Sequence, residues 1–311
     1  MRIDPPMSNK LYILTEHDDV YRTLIQEKSL PQLDIVDDPT QANIVLGSPP
    51  MAQAQFEQFK QLEWLQAIYA GVDALCIKPL PERQYRLTNV KDIFGPQIAE
   101  YVLGYCIEHF RHFTLYHAQQ QSKLWQPHLY QGLANKRMVI LGCGSIASHL
   151  ARTAKAFQLH TIGINSTGIP PKGSPFDDVF HIGELHSALN QADIVVNTLP
   201  STPETVEILN RNSLSQCQKA LLFNVGRGSA INESDLVWAI ENQYITHAYL
   251  DVFKQEPLDD DILWFHPKIT VTPHIAALSF PHQVVEIFAE NYQLWLDGYS
   301  LKFEVDLEKG Y

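Results

Sequence analysis

Three stretches in the second half of the chain carry side chains able to do chemistry. In "LFNVGRGSAI", Arg227 follows a very apolar run and is flanked by Gly226 and Gly228. A guanidinium at a strand end can hold a carboxylate through two parallel hydrogen bonds and polarise an adjacent carbonyl. The same residue could equally be a surface arginine in a turn. In "YLDVFKQEPL" and "VTPHIAA", Asp251, Glu256 and His274 fall at or just past the ends of two successive apolar runs. A buried carboxylate bonded to a histidine raises the imidazole pKa and fixes its tautomer. Such a histidine can give a proton to a ketone oxygen, or take one from an alcohol, near neutral pH. Any one of the thirteen histidines, taken alone, is more simply structural.

A different signal lies upstream, in "VILGCGSIASHLA". Gly142, Gly144 and Ala147 fit the spacing G-x-G-x-x-[GA], directly after an apolar strand and at the opening of a helix. The first glycine permits the tight turn, and the second lets backbone approach a pyrophosphate resting on the helix N-terminus. The small third residue allows close helix–strand packing. A tight turn can also use glycines for steric reasons alone, so the pattern needs its context. The next strand, "LHTIGI", should end on an acid that grips a ribose hydroxyl. It ends instead on Asn165, Ser166 and Thr167, with Asn165 standing 23 residues after Gly142. A carboxylate there would repel a 2′-phosphate, whereas these side chains and their N–H groups can donate to one. Lys172 could add positive charge. The expected cofactor is NADP(H) in preference to NAD(H), although the site has no arginine.

Bulk properties limit the alternatives. At 311 residues, two domains are the default. A net charge of −12 opposes binding to nucleic acid or an anionic membrane. No apolar run approaches the ~20 residues that span a bilayer, and "MRIDPPMSNK" lacks the apolar segment of a signal peptide. Cys76, Cys106, Cys143 and Cys217 are scattered, without metal spacing, and suit a reducing cytoplasm. His109, His112 and His117 are spaced by 3 and 5, a poor shared ligand face, so no metal is expected.

Behind these residues runs a series of short apolar segments. "KLYILTEH" (10–17) and "ANIVLGS" (42–48) read as buried strands, with "VYRTLIQEK" and "MAQAQFEQFKQL" as helices. A long helix is expected through "GPQIAEYVLGYCIEHFRHF", with Pro96 in its first turn. Six further strands follow: 137–142, 159–164, 192–199, 220–226, 247–253 and 268–274, mostly separated by helices. One helix, "NESDLVWAIEN", should be capped by Asn232, with Asp235 facing its amides. Six such strands read as a doubly wound nucleotide-binding fold. The last helix (281–297) sets Val284, Phe288, Tyr292 and Trp295 along one face, a core-packing stripe.

In this order and spacing, "LGCGSIA", "NTLPSTPET", "NVGRG", "LDVFKQEPL" and "TPHIAA" resemble the D-isomer-specific 2-hydroxyacid dehydrogenases. The likeness extends to "IYAGVDAL" and "GPQIAEYVLGY". Within that family, "LWQPH", "TPHIAALSFP" and the final "GY" are most like the glyoxylate/hydroxypyruvate reductase A branch. The resemblance implies an α/β fold of two domains. A Rossmann-type dinucleotide-binding domain (101–277) would be inserted into a smaller flavodoxin-like substrate domain (1–100 and 278–311). It implies NAD(P)H-dependent reduction of a small 2-keto acid to the D-2-hydroxy acid, by a cytoplasmic homodimer. Arg227 would bind the substrate carboxylate and carbonyl, His274 would be the general acid/base, and Glu256 would orient it. Backbone amides around Ala70, Gly71 and Val72 would take the carboxylate from the other domain. The cofactor would lie against Gly142, Gly144, Ser145, Ile146, Asn165, Ser166, Thr167, Leu199, Pro200, Thr205, Val225, Gly226 and His274, with Asp251 beside the nicotinamide.

The chain departs from that branch in one respect besides the missing arginine. An aromatic is expected just before Pro49-Pro50, but Gly47-Ser48 stand there, and a wider pocket could admit longer 2-keto acids. Two other readings compete. A dinucleotide-sensing corepressor shares the fold, but its long tail or peptide-binding arm is not evident. A same-fold dehydrogenase of formate, phosphite or 3-phosphoglycerate would need features not seen here.

Overall fold

The computed structural model describes residues 8–77 and 85–307; the opening seven residues and the final Gly310-Tyr311 lie outside them. The chain divides into two compact units, residues 1–93 with 279–311, and residues 94–278.

The first unit holds a five-stranded, all-parallel sheet in the order β2-β1-β3-β4-β5. Its strands are β1 (Asn9–Leu14), β2 (Leu33–Ile35), β3 (Ile44–Gly47), β4 (Trp64–Ala67) and β5 (Arg86–Thr88). That order is the flavodoxin-like winding. β3 and β4 are buried along their whole length, as strands covered on both faces must be. The helix expected over 51–62 is shorter, Pro49–Ala54, followed by a 3-10 turn at Phe56–Gln58. Breaking it there lets Phe59 and Leu62 turn inward to the core. The closing helix, Pro281–Leu296, belongs to this unit, and Phe288 stacks on Trp64 with ring centroids 5.2 Å apart.

The second unit contains a seven-stranded parallel sheet in the order β12-β11-β10-β9-β6-β7-β8. The strands are β6 (Arg137–Leu141), β7 (His160–Asn165), β8 (Asp178–His181), β9 (Ile194–Asn197), β10 (Ala220–Asn224), β11 (Ile245–Leu250) and β12 (Ile269–Val271). The order reverses at β6, which lies between β7 and β9, and such a switch point opens a crevice at the carboxyl ends of the strands. β8 is the strand that apolar runs do not reveal, because it is a partly exposed edge. The helix Phe94–Phe110 packs Ile98, Ala99, Val102 and Cys106 into this core, so residues 94–100 lie with the second unit. Asn232 caps the helix Glu233–Glu241, its side chain accepting from the Asp235 N–H at 3.1 Å. Among the described residues no helix is long and apolar enough to cross a membrane, and no three His, Cys, Asp or Glu side chains are placed to hold a metal ion.

Candidate active site

Parallel strands put all their carboxyl ends on one rim, and in the second unit that rim gathers most of the residues singled out above. β6 delivers Gly142–Gly144, β7 Asn165, β9 Leu199 and Pro200, β10 Val225–Gly228, β11 Asp251 and β12 His274. Two strand spacings, about 10 Å, separate β6 from β10.

The two turn glycines have different reasons to be glycine. Gly142 has φ +104°, and a Cβ on it would lie 2.6 Å from the Thr198 hydroxyl oxygen. Gly144, by contrast, has an ordinary φ of −73°, and a Cβ there would meet nothing within 4 Å. Protein packing therefore does not account for Gly144. It is exposed with Ser145 at the start of the helix Ser145–Ala156, whose first turn has no side-chain cap. Uncapped amides and bare backbone at a switch point are what a pyrophosphate requires. Ala147 is buried against the helix Phe94–Phe110 side of the core.

At the end of β7, Asn165 organises its own loop. Its Oδ1 accepts from the N–H groups of Thr167 at 3.0 Å and Gly168 at 2.6 Å, while Nδ2 donates to the Ile169 carbonyl at 2.9 Å. Cys143 hydrogen-bonds Asn165 as well, which lowers its pKa, yet burial dominates and pushes this thiol up to about 11. Ser166 and Thr167 are exposed.

Arg227 sits between two very close backbone approaches. A Cβ on Gly226 would lie 2.7 Å from the Leu199 carbonyl oxygen, and one on Gly228 would lie 1.9 Å from the Phe253 carbonyl carbon. These glycines thus press the Arg227 turn against the segments leaving β9 and β11. Arg227 itself is partly exposed, and its Nη1 donates to the Gly226 carbonyl at 2.8 Å. Two asparagines not anticipated from sequence fix the same turn. Buried Asn197 donates to Asn224 Oδ1 at 2.8 Å, and Asn224 donates to the Arg227 carbonyl at 3.1 Å. The signal was present: two otherwise apolar strands, β9 and β10, each end on Asn.

His274 and Glu256 are brought together, with Nδ1 to Oε2 at 2.8 Å. Glu256 also accepts the Phe253 N–H on Oε1 at 2.9 Å. The pair is not buried as supposed, since the side chains are 54% and 36% exposed. β12 stops at Val271, short of the strand expected to reach 274, because Pro273 has no N–H and His274 adopts φ +55°. Histidine tolerates that left-handed conformation better than most residues, but it still needs support. Asp251 supplies it. Its carbonyl accepts from His274 N at 3.0 Å, and its carboxylate from Ile275 N at 2.8 Å and Ala276 N at 2.9 Å. With Thr272 Oγ1 also donating at 2.6 Å, this 2%-exposed carboxylate is spent on the histidine loop.

Thr205, after β9, holds its own loop, donating to the Pro200 carbonyl at 2.7 Å. In the first unit, Ala70, Gly71 and Val72 follow β4. Asn89 Nδ2 anchors the Ala70 carbonyl at 2.8 Å. Among the described residues none of these three N–H groups has an acceptor in the protein, so the backbone offers successive donors. The histidines of the 109–117 stretch are not gathered: His112 bonds the Leu129 carbonyl at 3.1 Å, and His117 is exposed.

A doubly wound unit with an open glycine turn at its switch point, and a carboxylate-held histidine and an arginine on the same rim, defines a dinucleotide-dependent oxidoreductase fold. The model of the D-isomer specific 2-hydroxyacid dehydrogenase NAD-binding domain matches residues 103–276. Glyoxylate/hydroxypyruvate reductase A from Salmonella paratyphi B is 30% identical over 302 residues, covering 92% of this chain and 94% of its own. The enzyme of the same name from Citrobacter koseri is 33% identical over 81% of this chain and 83% of its own. In structure, a D-isomer specific 2-hydroxyacid dehydrogenase family protein from Aeromonas salmonicida superposes with a TM-score of 0.91 at 38% identity, covering 96% of this chain and 99% of that one. A 2-hydroxyacid dehydrogenase from Xanthobacter autotrophicus, solved with NADPH, superposes with a TM-score of 0.85 at 27% identity, over 98% and 100%. The chain belongs to the D-isomer specific 2-hydroxyacid dehydrogenase family, and its likeness within that family is to glyoxylate/hydroxypyruvate reductase A.

Proposed function

We propose that the protein reduces small 2-keto acids of the glyoxylate/hydroxypyruvate type to D-2-hydroxy acids, with NADPH preferred to NADH. The observation that carries this reading is the His274–Glu256 pair, on the same strand-end rim as Arg227 and the open turn at Gly144. Glu256 accepts from Nδ1, which leaves Nε2 on the half-exposed edge of the ring. There, His274 gives its proton to the keto oxygen as the carbonyl is reduced, and takes it back in the reverse direction. Arg227 holds the carboxylate and polarises the carbonyl, and the successive amides of Ala70, Gly71 and Val72 are suited to a carboxylate. When bound, the dinucleotide supplies the hydride. Gly142, Gly144, Ser145 and Ile146 would hold its pyrophosphate, and Leu199, Pro200, Thr205, Val225 and Gly226 would line the rest of the cofactor. Asp251 contributes by fixing the His274 loop.

Two features support the cofactor preference. The end of β7 has no carboxylate, and exposed Ser166 and Thr167 follow Asn165 there. The relative from Xanthobacter autotrophicus was solved with NADPH. Gly47 and buried Ser48 stand before Pro49, where the related reductases lead one to expect an aromatic. Longer 2-keto acids therefore belong in the substrate panel.

We read the protein as a cytoplasmic homodimer, its four cysteines all free. Trp125 and Leu129 are 96% and 98% exposed. Their segment is nonetheless held in place, by His128 bonded to Gln119 at 2.7 Å and Arg111 over the Tyr130 ring at 4.1 Å. An ordered loop presenting large apolar side chains to water is suited to a second copy of the chain. The deciding experiment is a steady-state matrix of NADPH and NADH against glyoxylate, hydroxypyruvate, pyruvate and bulkier 2-keto acids. Turnover should be fastest with NADPH and a small keto acid; no oxidation of either nucleotide with any keto acid overturns the assignment.

A further inference from the structure

Beyond the rim residues, a hydrogen-bonded line reaches the His274 loop from the helix Phe94–Phe110. Tyr101, on the helix Phe94–Phe110, places its phenol oxygen 2.7 Å from Thr272 Oγ1. Thr272 Oγ1 lies 2.6 Å from Asp251 Oδ1. The direction of these bonds follows from the inventory of donors. The Asp251 carboxylate receives two backbone N–H groups, so it is the acceptor, and Thr272 must spend its only proton on it. Tyr101 must therefore be the donor to Thr272. Burial keeps this phenol protonated by pushing its pKa up, so the donor is permanent.

We propose that Tyr101 and Thr272 are positioning residues for His274, acting through Asp251, a role that rests on the His274 assignment above. Tyr101 fixes the Thr272 hydroxyl, Thr272 fixes the carboxylate rotamer, and the carboxylate fixes Ile275 and Ala276. These bonds hold a non-glycine residue at φ +55°, where a loop left to itself would relax. Relaxation moves the imidazole relative to the keto oxygen, and misplacement of about 1 Å can cost about 100-fold in rate. The phenol does this through hydrogen bonds alone, and needs no contact with the substrate.

The test is a cycle of Tyr101→Phe, Thr272→Val and their double variant, with Thr272→Ser as the rescue. Tyr101→Phe keeps the ring and its edge contact with Tyr105 and removes the hydroxyl alone. Thr272→Val should lower kcat about 30-fold and Tyr101→Phe about 5-fold, with KM for the keto acid changed less than about twofold. Thr272→Ser should recover most of the loss. The double variant should match Thr272→Val, because Tyr101 works only through that hydroxyl. Multiplying losses, an unchanged Tyr101→Phe, or a serine as poor as valine overturns the proposal. NMR of labelled histidine supplies the second readout, with the His274 signal assigned from His274→Gln. It should shift in Tyr101→Phe and Thr272→Val but stay in place in Thr272→Ser, and an unmoved signal in both counts against the proposal even where Thr272→Val proves unstable. A parent protein without keto acid turnover refutes the functional assignment instead, and the NMR comparison still decides the positioning.

Discussion

Glu256 binds His274 and the segment after β11 with different oxygens: Oε2 takes His274 Nδ1 at 2.8 Å, and Oε1 takes the Phe253 N–H at 2.9 Å. The same carboxylate therefore sets the tautomer of the imidazole and ties it to the strand end that Gly228 contacts. Position 256 therefore acts on His274 through both its charge and its two acceptor oxygens.

Glu256→Gln tests that directly. A carboxamide has one acceptor oxygen and one donor nitrogen. Either the Phe253 N–H loses its acceptor or His274 must present Nδ1 as an acceptor and carry its proton on Nε2. We expect kcat to fall about 100-fold, with the dissociation constant for NADPH, read by fluorescence titration, within about twofold of the parent. A fully active glutamine variant would remove Glu256 from the mechanism.

Arg227→Lys keeps the charge and loses the planar fork. If the guanidinium holds the keto acid carboxylate, kcat/KM should drop about 100-fold for glyoxylate and hydroxypyruvate alike, since both present the same carboxylate. A loss confined to one of them would place Arg227 against the distal part of the substrate.

Most of this arrangement is legible in the sequence wherever apolar runs end on unusual residues. Gly142, Arg227, Asp251 and His274 each close or follow such a run, and parallel strands deliver all of them to one rim. Partners whose spacing follows no secondary-structure period stayed hidden. The Asn197–Asn224 pair joins residues 27 apart and Tyr101–Thr272 residues 171 apart, and such contacts exist only once the sheet order is known. Edge elements were missed for another reason. β2 and β8 are short and partly exposed, so burial leaves little pattern in them, and β5 is only three residues long. The glycines beside Arg227 teach a third lesson: they mark backbone crowding at Leu199 and Phe253, a cause that the local sequence does not reveal.

Asn165→Asp separates charge from loop structure at the end of β7. An aspartate keeps the acceptor bonds to Thr167 and Gly168 and loses the amide's donations to Ile169 and Cys143. The new carboxylate repels a 2′-phosphate and welcomes a ribose hydroxyl. The ratio of kcat/KM for NADPH to that for NADH should fall about 10-fold or more. An unchanged ratio would mean that position 165 does not face the ribose.

Trp125→Glu with Leu129→Glu should disperse the proposed dimer. Two charges in an apolar interface cost far more than at a wet surface, so sedimentation should report a monomer with an unchanged circular dichroism spectrum. A dimer that survives both substitutions must be built on another face.

Gly144→Ala and Gly228→Ala form a matched pair, the same added methyl at two rim positions with opposite expected costs. At Gly228 the methyl would sit 1.9 Å from the Phe253 carbonyl carbon, so backbone must move and the Arg227 turn must lift from β11. Loss of about 4 kcal/mol or more is expected there, seen as a fall in melting temperature of roughly 10 °C. At Gly144 the methyl meets no protein atom within 4 Å, and φ −73° suits alanine. Melting should hold within about 2 °C of the parent, because nothing is crowded. Dinucleotide affinity should nevertheless drop about 10-fold or more, because the methyl occupies the space through which backbone approaches a pyrophosphate. If Gly144→Ala binds NADPH as tightly as the parent, that space is not where the pyrophosphate lies, and the open turn loses its claim to be the cofactor site.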